Sequence, residues 1–163
     1  MIKKIDQNLI DQLMQQAADS PRLRSNVNFH TEMDDPVQRL LIGLKKGTFV
    51  KPHHHPAEGK WEFMLAVQGE MCLVIFDSEG TVQDRMTLVP GSSMMGAEMP
   101  PNTWHTIYPI TEDAVLLELK VGPYTPAKPT DFAAWAPNEG EAETARFQSW
   151  VESAAIGERY TAV

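Results

Sequence analysis

Residues 52–62 read Pro-His-His-His-Pro-Ala-Glu-Gly-Lys-Trp-Glu, the densest run of chemically capable side chains in the chain. Imidazole and carboxylate groups are the usual holders of borderline transition metals. In extended backbone successive side chains alternate between faces, so His53 and His55 share one face and His54 takes the other. Two imidazoles on one face can grip one ion, and Glu62 can add a carboxylate after a short loop. Glu58 is nearer in count, but it stands between Ala57 and Gly59 in that loop, whereas Glu62 opens the strand-like run Phe63 to Val67. Three adjacent histidines can also be a polar loop or the remnant of an expression tag. A tag sits at a terminus, not between two strand-like runs, so the spacing favours a metal site.

Other polar groups are weaker candidates. Lys60, beside the histidine loop, is either a solvated lysine or a contact for an anionic substrate. Arg39 is a second candidate for binding a phosphate or carboxylate, and nothing in its position fixes which way it faces. Trp61 and Trp104 are expected to point away from the metal face and to pack. His30 stands alone and reads as a surface or hydrogen-bonded histidine. Cys72 lies in the apolar run Met71 to Phe76 and reads as a small core residue. The nine methionines fall in apolar runs and read as core, not as copper ligands. No general base is assigned.

These groups need a frame. Residues 6–18 are predicted to be helical, with Asp6 as N-cap, Ile5 and Ile10 placed as a hydrophobic staple, and Leu9, Ile10, Leu13, Met14 and Ala17 in one stripe. Ser20-Pro21 ends that helix. From Ser25 onward the periodicity is that of strands. The runs Arg39 to Leu44, Phe63 to Val67, Met71 to Phe76, Thr81 to Val89, Met94 to Met99, Trp104 to Tyr108 and Ala114 to Val121 are separated by Gly, Pro and Asp turns. That rhythm predicts an antiparallel sandwich or barrel. After Gly122 a proline-rich segment is expected to run over the barrel, pinned by Phe132, Trp135 and Pro137. A last helix is expected to be capped by Asn138, with Glu141 in the box position. Its apolar face would hold Phe147, Trp150, Val151 and Ala154. The organisation is a helical arm over 1–24, a barrel domain over 25–122 and a C-terminal extension over 123–163 packed on the barrel.

A chain of 163 residues with 42% hydrophobic and 22% charged residues fits one globular domain. Its net charge of −8 argues against nucleic acid and anionic membrane as partners. One cysteine allows no internal disulfide, no apolar run spans a bilayer, and the N-terminus lacks a signal-peptide core. A cytoplasmic location is expected.

Gly47, His53-x-His55, Glu62 and Gly69 resemble the first cupin motif, and Pro100-Pro101-Asn102-Thr103-Trp104-His105 resembles the second. Three positions depart from the family pattern. Six residues separate His55 from Glu62 where three or four are usual. Asn102 replaces a glycine, which it can do because Asn tolerates left-handed backbone. Pro109 replaces an asparagine. Asp34-Asp35-Pro36-Val37-Gln38-Arg39, Lys120-Val121-Gly122-Pro123-Tyr124 and Trp135-Ala136-Pro137 extend the likeness, so that residues 20–140 resemble the WbuC-type cupin-fold metalloproteins. The resemblance implies an all-β cupin jelly-roll barrel with an N-terminal helix and a C-terminal helical extension. It also implies a metal held by His53, His55, Glu62 and His105, and a bacterial setting among O-antigen polysaccharide genes. The expected cofactor is one divalent transition metal (Zn, Fe, Mn, Ni or Co). The expected partners are a sugar or nucleotide-sugar ligand and a second copy of the chain in a homodimer. The function expected is a metal-dependent sugar isomerase or epimerase using the ion as Lewis acid. The alternatives are a metal-dependent dioxygenase and a non-catalytic sugar-binding or regulatory module.

Overall fold

The computed structural model describes residues 2–161; the ends of the expected arm and extension, Met1 and residues 162–163, lie outside the described residues. Helix α1 (Gln7–Asp19) is followed by eight strands: β1 (Arg24–Asn28), β2 (Val37–Lys45), β3 (Glu62–Gln68), β4 (Met71–Phe76), β5 (Val82–Leu88), β6 (Gly96–Met99), β7 (Trp104–Pro109) and β8 (Asp113–Val121). A 3-10 turn (Pro129–Asp131) and helix α2 (Thr144–Ser153) complete the chain. The strands form two antiparallel sheets, ordered β1-β2-β8-β3-β6 and β5-β4-β7. This is the expected all-β barrel, flanked by a helix from each end of the chain. Among the described residues no helix is long and apolar enough to cross a membrane.

The barrel interior is filled by Leu44, Met64, Ala66, Met71, Leu73, Leu88, Met99, Ile107, Ala114 and Leu116. Each sheet also has a covered outer face. Helix α1 lays Ile10, Leu13, Met14 and Ala17 on Leu41 and Val115, the outward residues of β2 and β8. Asp6 accepts the Leu9 N–H at 3.1 Å and so caps α1 as its side-chain type dictates, while Ile5 stays about half exposed. On the other sheet α2 and the segment before it bury Ala133, Ala136, Phe147, Val151 and Ala154 against Cys72, Val74, Phe76 and Val82. A strand covered on both faces has no polar side, which is why Met71 to Phe76 reads as an unbroken apolar run.

Helix α2 starts later than its sequence suggests. The Asn138 N–H donates to the Glu141 carboxylate at 2.8 Å, but this pair closes a separate turn. Gly140 takes φ +86° inside that turn, which ends the helical path, and α2 begins at Thr144 with Glu143 as its N-cap.

Candidate metal centre

The segment before β3 carries two of the histidines, and backbone bonds tie it to β7 and the turn before it. The N–H of His53 donates to the carbonyl of His105 at 3.0 Å, and the N–H of His105 donates back at 2.9 Å. His53 is thus locked opposite His105 on β7, as an added strand would be. The Asn102 N–H donates to the His55 carbonyl at 3.0 Å, and Asn102 itself turns the chain with φ +66°. This is the left-handed conformation for which asparagine substitutes for glycine. The carboxylate of Glu62 arrives from the inward face of β3, in line with Met64 and Ala66. Gly69 ends that strand at φ +69°, where a Cβ would stand 2.1 Å from the Asp113 carbonyl oxygen, so no other residue fits.

These elements converge on one point. His53, His55 and His105 each bring a ring nitrogen within 4.8 Å of the others. Glu62 Oε2 lies 3.1 Å from His105 Nε2 and 3.4 Å from His55 Nε2. Donors about 2.1 Å from a shared ion stand about 3 to 4 Å apart, and both carboxylate distances fall in that range. The Nδ1 atoms of His53 and His105 sit 3.0 and 2.9 Å from the carbonyls of Lys51 and Thr103. Each carbonyl can only accept, so it holds the proton on Nδ1 and leaves the Nε2 lone pair free. His55 Nε2, His105 Nε2 and Glu62 Oε2 are buried without a hydrogen-bond partner. Orphaned buried acceptors are costly, and a cation at their meeting point removes that cost.

The electrostatics agree with such a site. Burial, reinforced by His105, pulls His53 down to about 3, so its ring is neutral at physiological pH. Burial alone would raise Glu62, but His105 and His55 hold it well below the usual carboxylate range. Burial lowers His105, and the adjacent Glu62 more than offsets it, for a net rise.

The structure places the remaining candidates as follows. His54 faces away and stacks on Trp104 with ring centroids 3.9 Å apart. Glu58 is exposed in the loop. Lys60 is near the site, but its ammonium donates to the carbonyls of Val121 and Pro123 at 2.9 and 2.7 Å, so it staples the loop to the end of β8. Arg39 is not brought to the site. It alternates with the inward-facing Gln38 and Leu40, points outward, and pairs with Asp35 at 3.0 Å. Trp61, expected to pack away from the metal face, lines a cleft beside His55, because it precedes β3 and strand alternation does not govern it. His30 is buried and accepts the Arg39 N–H at 3.1 Å, a structural role.

Two cavities meet at the histidines. A cleft of about 320 Å³ lies between the loop Pro56–Trp61 and the proline-rich segment, with Trp61, Tyr124 and Phe132 among its walls. A second cavity of about 510 Å³ enters the barrel, and His53, Lys120 and Phe132 border both. Glu118 and Lys120 line the barrel cavity and escape a reading of the sequence. Their alternation with Leu117 and Leu119 was the available signal, but a polar face on a strand ordinarily faces water. Here that face continues the line of Ala114 and Leu116 into the barrel.

The family model described as a domain of unknown function (DUF6016) matches residues 5–88. The chain belongs to that family. No curated protein matches it in sequence. Among solved structures, TT1209 from Thermus thermophilus is 21% identical, with 74% of this chain and 95% of that one covered at a TM-score of 0.53. Oxalate oxidase in complex with the substrate analogue glycolate is 14% identical over 64% of this chain and 54% of that one, at a TM-score of 0.51. The DMSP lyase DddQ from Ruegeria pomeroyi is 17% identical over 64% of this chain and 49% of that one, at 0.50. At these identities the likeness is one of fold, and that fold is the cupin barrel foreseen from the two motifs.

Proposed function

We propose that the chain binds one divalent transition metal through His53, His55, Glu62 and His105 and acts on a small hydroxylated ligand, a sugar or nucleotide sugar, as an isomerase or epimerase. The observation that carries the metal assignment is the convergence of three buried, unpartnered donor atoms, His55 Nε2, His105 Nε2 and Glu62 Oε2, beside His53. A bound ion would supply Lewis-acid polarisation of a hydroxyl or carbonyl. The protein's own residues do the rest. The carbonyls of Lys51 and Thr103 orient the imidazoles. The cleft offers Trp61, Tyr124 and Phe132 as apolar faces and Gln38, Lys60 and Asp131 as polar edges, a mixture suited to a sugar ring. The resemblance to WbuC-type proteins supports a polysaccharide-sugar setting; a cytoplasmic location and a homodimer complete the proposal.

The test is to purify the protein without a tag, measure metal content, and screen nucleotide sugars for turnover with the protein reloaded with zinc or, under air, with Fe(II). Turnover with zinc and no oxygen uptake supports the proposal. Turnover that needs iron and consumes oxygen replaces it with a dioxygenase, and tight sugar binding without turnover replaces it with a binding module.

A further inference from the structure

Glu118 and Lys120 are left without a task by the metal reading, on which this inference rests. Both stand on the inward face of β8 and border the barrel cavity with His53 and His105. Glu118 is 5% exposed, and its Oε1 pairs with Lys120 Nζ at 2.7 Å. Lys120 Nζ also lies 3.8 Å from Glu62 Oε1. The neighbouring wall is aliphatic, with Leu40, Ile42, Met64 and Leu116. The other charges of this cavity sit at its solvent end. There Arg24 and Arg22 pair with Glu139 at 2.8 and 2.9 Å, and Lys51 donates to Asn138.

Burial and Glu62 push the Glu118 carboxyl up, and the Lys120 ammonium 2.7 Å away opposes them. With Glu118 and Lys120 as an ion pair beside Glu62, the inner site holds two carboxylates and one ammonium, a net charge of −1, and a divalent ion would turn this into +1. An uncompensated charge among aliphatic side chains is costly. We propose that Glu62, Glu118 and Lys120 tune the site to a monoanionic oxygen chelator, an α-hydroxy acid or the acid group of a sugar acid, in preference to a neutral diol. Such a ligand brings the single negative charge that cancels the excess. Lys120 borders both cleft and cavity, so a ligand entering by either reaches it.

The full chain loaded with Co(II) tests this, because the visible spectrum of the ion reports its surroundings without any need for turnover. The probes are glycolate and ethylene glycol, which share a two-carbon frame and differ by one charge. Any divalent ion prefers glycolate to some extent, so the comparison is made across four proteins in which that preference is common. Lys120→Met removes the excess charge and should weaken glycolate about tenfold, the scale of one charge-assisted contact. Glu118→Gln should tighten it by a similar factor. The double variant Glu118→Gln/Lys120→Met restores the charge and should return to the wild-type affinity, with ethylene glycol unchanged throughout. Equal glycolate affinity in all four proteins overturns the inference, as does a double variant that behaves like Lys120→Met. If Lys120→Met alone does not fold, the order of the other three proteins still decides. Failure of the wild type to take up Co(II) is seen before any probe is added, and it counts against the metal reading instead.

Discussion

The four donors are not equivalent in what their loss should do. His55→Ala and His105→Ala should abolish metal binding, while His54→Ala should retain one ion per chain, because His54 lies on the other face against Trp104. Elemental analysis of the three variants checks this. Glu62→Gln should weaken the ion by more than about tenfold, the loss usual when even an outer partner of a ligand is removed. Glu58→Gln should leave it in place, since Glu58 is exposed in the loop; competition with a chromogenic chelator reads both. The centre should also be pH-sensitive. Glu62 raises His105 above its ordinary value, and an ion needs its Nε2 unprotonated. Metal affinity should therefore fall as pH drops through the raised His105 value and level off above it, with proton release on binding below that value. Calorimetry in two buffers of different ionisation enthalpy measures that release.

At the scale of elements, the centre depends on how strands are ended and paired. The reciprocal backbone bonds between His53 and His105 place two donors face to face without any side chain contributing. The proline-rich segment reinforces this, because the Ala133 N–H donates to the Pro52 carbonyl and the His54 N–H to that of Asp131. Helix α2, which follows, is anchored by Arg85 from β5. Its guanidinium donates to the carbonyls of Val151, Ala154 and Glu152 and to the Tyr108 hydroxyl, at 2.6 to 3.1 Å. A cation there satisfies the last carbonyls of the helix and opposes the negative end of its dipole. Arg85→Met should lower stability by about 2 kcal/mol, the upper range for a partly buried charge at a helix terminus. Thermal unfolding gives that value, and metal stoichiometry should stay at one ion.

For the whole molecule, the barrel is stabilised from outside as much as from within. Phe147 of α2 is fully buried between Phe49, Trp135 and Tyr160, with ring centroids 6.0, 6.2 and 4.8 Å away. Phe147→Ala should cost about 3 to 5 kcal/mol, as deletion of a buried aromatic ring does. Chemical denaturation checks it, and the cost should be similar with and without metal, because the ring lies on the outer face of the second sheet. In a chain of net charge −8 the cleft gathers three lysines, Lys60, Lys120 and Lys128, of which Lys120 pairs with Glu118 and Glu62, and one carboxylate, Asp131.

Local rules made much of this legible in the sequence. Alternation along extended backbone separated His54 from His53 and His55, the Asp6 cap and its apolar stripe marked α1, and the left-handed tolerance of asparagine explained Asn102. Each of these depends on a few neighbouring residues, so the sequence by itself determined them. What depended on distant segments was decided only by the tertiary structure. The Glu118 and Lys120 face of β8 could point to water or to the barrel with the same alternation, and closure of the sheets turned it inward beside Glu62. Arg39 was carried outward by the same parity that took Gln38 in. Trp61 gained a place on the cleft because the loop ahead of β3 folds against the segment after β8, a contact between segments far apart in the chain that Lys60 holds through the carbonyls of Val121 and Pro123. Spacing along a strand constrains which side chains share a face, and only the packing of the other strands decides what that face meets.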